Sequence, residues 1–285
     1  MNEDDLRGRL EQEKFGRLEG GREISCISME GVARIASALG LTSRQVAIVA
    51  LEDSIIPLRY VKNIGTTGVA GQATLLKSTV AVVGAGGIGS RAAELLARMG
   101  VGKIVLADPD VFDETNLNRQ GFSCETSVGL PKVEVAAERL AEINCDVEVS
   151  MERLAAEASN VDSLLQGADV VIDALDNIED RLLVMEACRR LGTVMVHGAI
   201  AGTCVQVTTL YPGDSGLESF LPVATGDEKS RGIEVETGNP ATTPTLAAAI
   251  QVQETVKVIL GRGETLRGRL LYLETDDWTF EFIDL

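Results

Sequence analysis

The sequence has no apolar stretch long enough to span a bilayer, no C-x-x-C pair, and one histidine in 285 residues. The first absence excludes a membrane-spanning helix, and the charged opening Met1 to Glu13 has no apolar leader core, so a cytoplasmic protein is expected. The second excludes a zinc site built from two C-x-x-C pairs. Cys26, Cys124, Cys145, Cys188 and Cys204 are scattered, and this odd number in a cytosolic chain reads as reduced thiols. Basic residues are scarce as well: 26 Lys and Arg stand against 43 Asp and Glu, a net charge of −17. An acidic surface disfavours nucleic acid and anionic membrane as partners. The lone histidine, His197, follows the strand pattern Val194 to Val196 and reads as a structural group in preference to a general base. No repeat and no low-complexity segment is present.

What the chain does have is a nucleotide loop. Thr79 to Val83 is a short, β-branched apolar run that predicts a buried parallel strand, and it breaks into Gly84-Ala85-Gly86-Gly87-Ile88-Gly89. A helix is expected next, with apolar Ala92, Leu95, Leu96 and Met99 at helical spacing and Gly100 as its stop. In a strand-loop-helix context Gly84 permits the tight turn, Gly86 lets backbone approach a phosphate, and Gly89 brings helix and strand together. The helix N-terminus then offers free N–H groups to an anion. A second strand, Lys103 to Leu106, leads to Asp108, roughly 20 residues beyond the loop, where a carboxylate can hold ribose hydroxyls.

The loop alone suits NAD. The residues after it suit ATP, because Asp108-Pro109-Asp110 is followed by Asn116, Arg119 and Gln120 and then by Pro131-Lys132, an amide-rich and cationic set. Hydride transfer has little use for such cations, whereas cleavage of an α,β-phosphoanhydride builds charge on phosphate oxygens that cations and a metal ion stabilise. Another strand, Ala168 to Ile172, ends near Asp176, and one carboxylate at a strand end suffices for Mg²⁺ held chiefly by phosphates and water. Arg181, in the helix that follows, is read as a structural partner of Asp173 or Asp176.

These signatures, in this order, resemble the ubiquitin-activating-enzyme-like adenylyltransferases of the MoeB, ThiF and HesA group. The resemblance covers roughly Arg59 to Leu285, from Arg59-Tyr60 and Gly71-Gln72 through the Gly84 loop, Asp108-x-Asp110, Asn116-x-x-Arg119-Gln120, Pro131-Lys132-Val133 and Asp176-Asn177-x-x-x-Arg181 to a closing Tyr272-Leu273 strand. It implies a Rossmann-like, mainly parallel α/β sheet with helices on both faces. It also implies nucleotide contacts from Gly84, Gly86, Gly87, Gly89, Asp108, Asp110, Asn116, Arg119, Gln120 and Lys132, with Mg²⁺ on Asp176. The implied reaction is ATP-dependent adenylation of the C-terminal glycine of a ubiquitin-fold sulfur carrier with a Gly-Gly tail, of the molybdopterin-synthase or thiamine type.

Two departures from the family pattern limit what it implies. The cysteine used by relatives ahead of a glycine would fall near Glu234, where there is none, so a covalent thiol step is not expected there. An arginine finger lent by relatives from the neighbouring subunit of a homodimer is here Lys62, which keeps the charge but loses the planar fork.

Residues 1–58 are expected to form a small helical appendage, with helices at Met29 to Leu39 and Ser43 to Leu51, and residues 59–285 the adenylation domain. A long helix is expected over Ala241 to Leu260, with Pro244 well placed at its first position. Among the thiols, Cys188 reads as core, Cys204 as a packed strand residue and Cys124 as the more exposed candidate. Two other functions fit parts of the pattern: an NAD-dependent oxidoreductase, from the glycine loop, and a nucleotide-sensing regulator whose Met29 to Leu51 helices form a helix-turn-helix.

Overall fold

The computed structural model describes residues 3–220 and 237–285. Its N-terminal part holds more than two helices. Helix α1 (Glu3–Glu13) buries Leu6 and Leu10, one turn apart, and is followed by a hairpin of β1 (Phe15–Glu19) and β2 (Arg22–Ile27). The hairpin turn is Gly20-Gly21, both at positive φ (55° and 78°), the two-residue geometry whose twist matches that of the flanking strands. Helices α2 (Met29–Leu39) and α3 (Ser43–Glu52) come next, and β3 (Ile56–Pro57) pairs in parallel with β2. The purely helical appendage expected from the sequence is thus corrected to a mixed α/β one. Helix α3 opens on a capping box in which the Gln45 N–H donates to Thr42 Oγ1 (3.2 Å) and the Thr42 N–H to Gln45 Oε1 (2.9 Å).

This appendage is packed on the rest of the chain. Val46, Ala47, Val49, Ala50 and Leu51 of α3 are buried, and Arg44 donates to the Gly102 carbonyl (2.6 Å) and pairs with Glu148 (3.0 Å). A reading helix needs a free basic face; here the only basic residue of α3 is tied to its own protein, which removes the structural basis for the helix-turn-helix alternative.

Helix α4 (Val61–Lys77), broken at Gly68, leads into the main sheet. Its elements run β4 (Thr79–Val83), α5 (Gly87–Met99), β5 (Lys103–Ala107), α6 (Lys132–Ile143), β6 (Glu148–Glu152), α7 (Val161–Leu165), β7 (Val170–Asp173), α8 (Ile178–Leu191), β8 (Val194–Ala201), β9 (Cys204–Leu210), α9 (Thr242–Leu260), β10 (Arg269–Glu274) and β11 (Thr279–Asp284). The spatial order is β11-β10-β9-β8-β7-β4-β5-β6. Strands β6, β5, β4, β7 and β8 are parallel, and β9, β10 and β11 extend the sheet antiparallel.

Strand β4 shows why its sequence is uninterrupted by polar residues. Val80 and Val82 pack into the core under α5, α6 and α9, while Ala81 and Val83 pack into the opposite core with α7 and α8. A strand covered on both faces has no solvent side to mark with polar residues. From β4 the chain winds outward through β5 and β6, then returns to lay β7 on the other flank of β4. The gap between β4 and β7 is the topological switch point, where ligands bind beyond the C-terminal strand ends.

Two placements differ from expectation. Pro244 is the third residue of α9, after N-cap Ala241, still within the first turn where no N–H partner is lost. His197 lies inside β8, not after it, because the strand runs on to Ala201.

Candidate nucleotide site

Beyond the ends of β4, β5 and β7 opens a cavity of 620 Å³, within the range of small-molecule sites. Gly84 turns the chain out of β4 at φ 97°, and a Cβ on it would meet the Ala174 carbonyl oxygen at 2.6 Å. Gly86 is different: its nearest neighbour would be Gln120 Nε2 at 3.9 Å, so its missing side chain leaves space on the cavity side. Gly87 starts α5 against Pro244, whose Cβ would lie 3.1 Å from an added Cβ, which ties the loop to α9.

Asp108, at the end of β5, is buried and locked. Its Oδ2 accepts from the Ala85 N–H (2.7 Å) and its Oδ1 from the Asp110 N–H (2.9 Å). Lys132, the first residue of α6, is buried beside it, with Nζ 2.9 Å from Asp110 Oδ2 and 3.7 Å from Asp108 Oδ1. Asn116, Arg119 and Gln120 come from the loop between β5 and α6 and line the same cavity. Arg119 donates to the Thr115 carbonyl (3.0 Å) and Asn118 Oδ1 (2.9 Å), and the buried Gln120 leaves Oε1 without a partner. Asp176, in the turn after β7, faces the cavity with no hydrogen bond or ion pair among the described residues.

The turn that carries Asp176 is held from behind. Asp173 Oδ1 accepts from the Leu175 N–H (3.0 Å), and Arg181 donates to the Leu175 carbonyl and to the Gly198 carbonyl (3.1 Å). His197 Nδ1 lies 2.6 Å from Asp173 Oδ2, and both residues are fully buried. Burial pushes the His197 imidazole below its usual range, and its Nδ1 donates to the Asp173 carboxylate. Burial alone would raise Asp173, but the Arg181 guanidinium and the His197 hydrogen bond outweigh it and hold the carboxyl low. Arg181 and His197 are therefore structural partners of Asp173.

The structure thus brings together every site residue expected from the sequence except two. Gly89 lies behind the loop at the crossing of α5 and β4. Lys62 stands on α4 outside the cavity, 79% exposed, and pairs with Glu19 of β1. Sequence reasoning missed Leu154, Ala155 and Ala156, an apolar wall after β6, and Asn239, just before α9. The signal for the first was available: an apolar run at the C-terminal end of a parallel strand. The strand itself was hidden, because Glu148 to Glu152 sits at the sheet edge and reads as polar. Cys124 is half-buried and more exposed than the buried Cys188, while Cys145, not singled out from the sequence, is exposed. Cys204 donates to Glu274 (2.7 Å), away from the cavity. The position at Glu234 lies outside the described residues.

A glycine loop at the switch point, with a lysine, an arginine and a free carboxylate around one cavity, defines a nucleotide-binding α/β enzyme. Residues 60–285 match the model of the ThiF family, and the chain belongs to that family, the adenylyltransferase group its motifs resemble. It is 40% identical over 227 residues to the SAMP-activating enzyme E1 of Haloferax volcanii, covering 79% of this chain and 84% of that one. It is 35% identical over 219 residues to the adenylyltransferase and sulfurtransferase MOCS3 of Aedes aegypti, where it spans 76% of this chain but only 50% of the relative. Among solved structures, Escherichia coli MccB with MccA-N7isoASN matches at a TM-score of 0.66 and 24% identity, covering 79% of this chain and 72% of that one. PaaA matches at 0.67 and 22% over the same shares. At that identity the likeness is one of fold.

Proposed function

We propose that this protein uses ATP to adenylate the C-terminal glycine carboxylate of a ubiquitin-fold sulfur-carrier protein, releasing pyrophosphate. The observation that carries this reading is the meeting of the glycine loop, Asp108, Lys132, Arg119 and the unpartnered Asp176 in one cavity at the switch point. A carboxylate oxygen of the carrier attacks the α-phosphorus. One P–O bond forms, the bond to the β-phosphate bridge breaks, and the electron pair leaves on pyrophosphate. No proton has to move, which suits a cavity wall without histidine. The demand is for charge stabilisation, and Arg119 and Lys132 supply it while Asp108 takes the ribose hydroxyls and Gly86 admits the phosphate backbone.

Asp176 fits Mg²⁺: it is an oxygen donor that nothing else in the described residues engages. No group of three metal-ligating side chains occurs among those residues, so phosphates and water would complete the shell. When bound, the ion would neutralise phosphate charge. Lys62 lies outside its own chain's cavity, which suits the homodimer reading, in which it reaches the partner's site.

The archaeal relative is named for a SAMP, and that of Porphyra purpurea for molybdopterin synthase. These names support activation of a protein carrier; that it carries a Gly-Gly tail and is of the molybdopterin-synthase small-subunit or thiamine type is part of the proposal. Residues 59–285 would form the adenylation domain and 1–58 an accessory one. A cytoplasmic setting suits the reduced thiols, and no single helix among the described residues is long and apolar enough to cross a membrane. The test is ATP–pyrophosphate exchange with Mg²⁺ and such a carrier. Tight NAD binding without exchange would overturn the reading in favour of an oxidoreductase.

A further inference from the structure

The ammonium of Lys132 is already engaged. Two carboxylates approach it, Asp110 at 2.9 Å and Asp108 at 3.7 Å, and they differ in what else holds them. Asp108 is buried and fixed by two backbone N–H donors, from Ala85 and Asp110. The Asp110 side chain is 63% exposed, and among the described residues its carboxylate pairs with the Lys132 side chain alone. Lys132 itself is only 8% exposed, and its backbone is fixed at the start of a helix.

The ion pair is not what holds these residues together. The Lys132 N–H donates to the Asp110 carbonyl (3.0 Å), the Phe112 N–H to the Leu130 carbonyl (2.9 Å), and the Gly129 N–H to the Phe112 carbonyl (2.8 Å). Val111 and Pro131 form an antiparallel bridge between the same segments. The backbone thus keeps Asp110 beside Lys132 whether or not the side chains pair. An exposed carboxylate on a buried ammonium is the partner that can exchange, since it returns to water at little cost while the ammonium keeps needing an anion.

We propose that Asp110 sets the nucleotide affinity of this site by competing with phosphate for the Lys132 ammonium. Asp110 is then not a nucleotide ligand, although its motif position suggests one. It weakens every phosphate-bearing ligand that draws on Lys132, pyrophosphate included, and so favours release of the leaving group. The inference rests on the ATP reading above.

The experiment is equilibrium titration with ATP, without carrier, at fixed ionic strength, of the wild type and of Asp110→Asn, Asp110→Glu, Lys132→Met and the Asp110→Asn/Lys132→Met double variant. Thermal melts accompany each to confirm folding. Asp110→Asn should tighten ATP binding roughly threefold to tenfold, the scale of one partly exposed ion pair. Asp110→Glu should stay near wild type, and in the Lys132→Met background Asp110→Asn should change affinity by less than about twofold. Equal or weaker binding by Asp110→Asn overturns the proposal, as does the same tightening in the Lys132→Met background, which would mark a general charge effect. Carrier-dependent exchange by the wild type tests the reaction separately. If exchange fails while the Asp110→Asn ratio holds, the reaction assignment falls and the role of Asp110 stands. If exchange succeeds and the ratio does not hold, Asp110 alone is misassigned.

Discussion

Gly89 lies directly over Gly84: a Cβ on Gly89 would fall 1.8 Å from the Gly84 carbonyl oxygen. No rotamer relieves that overlap, because the position of a Cβ is fixed by the backbone and the atom it meets is itself backbone. Gly89→Ala should therefore destabilise the fold by about 3 kcal/mol, the upper end of overpacking costs. Gly86→Ala has open space and should melt close to wild type while ATP binding falls at least roughly tenfold, because the added methyl occupies the side on which phosphate approaches. Paired thermal melts and ATP titrations separate the two roles. Normal ATP binding by Gly86→Ala would show that phosphate passes elsewhere.

Asp176 has no partner among the described residues, so removing its carboxylate should leave the fold intact and act only on chemistry. Asp176→Ala and Arg119→Ala should each lower ATP–pyrophosphate exchange by roughly 10²–10³, the cost of losing one electrostatic stabiliser. Undiminished exchange in both variants would refute their assignment.

His197 offers a clean pH test because it is the only histidine. Burial lowers its folded-state pKa from the ordinary value of 6.5, so as pH falls through that value the unfolded chain takes up a proton that the folded chain refuses. Stability contributed by this group is therefore full above the unfolded pKa and declines with acidification, by at most about 1.4 kcal/mol per pH unit. Asp173, held low, adds its own loss only under more acidic conditions, below its ordinary 3.8. Between pH 7 and 5.5 the wild-type denaturation midpoint should fall more steeply than that of His197→Asn. Parallel profiles would show that His197 titrates in the folded protein much as it does in the unfolded one.

Thiol reactivity should follow exposure and local hydrogen bonding. The hydroxyls of Thr126 and Ser127 lower Cys124 to about 7, and Cys145 is exposed, whereas burial pushes Cys188 up to about 12. Iodoacetamide at pH 7 should alkylate Cys124 and Cys145 first, with Cys26 and Cys188 protected until the chain unfolds. Mass spectrometry of a time course reads the order, and early labelling of Cys188 would contradict the packing around α8.

Local sequence carried much of this. The strand Thr79–Val83 was legible as a continuous apolar run broken by glycine, the helix Met29–Leu39 from its apolar spacing and its Gly40 stop, and the loop from its glycines. The segments missed were those whose pattern is diluted by exposure. β6 and β11 lie at the two sheet edges, and β11 leaves Phe280, Phe282 and Ile283 in solvent. The β1–β2 hairpin went unseen although Gly20-Gly21 marks its turn, because its strands alternate weakly. At the site, residue types announced Asp108, Arg119, Lys132 and Asp176. The wall at Leu154 to Ala156 carries no chemical label.

The sequence by itself determined which residues could serve a phosphate-bearing nucleotide, a glycine turn, two cations and carboxylates, since those residue types have few other uses in that order. Only the tertiary structure decided how they are used, because pairing depends on distance and water access. Folding places Asp110 on Lys132, sets Lys62 outside its own cavity, buries His197 against Asp173, and leaves Asp176 facing the cavity without a partner among the described residues.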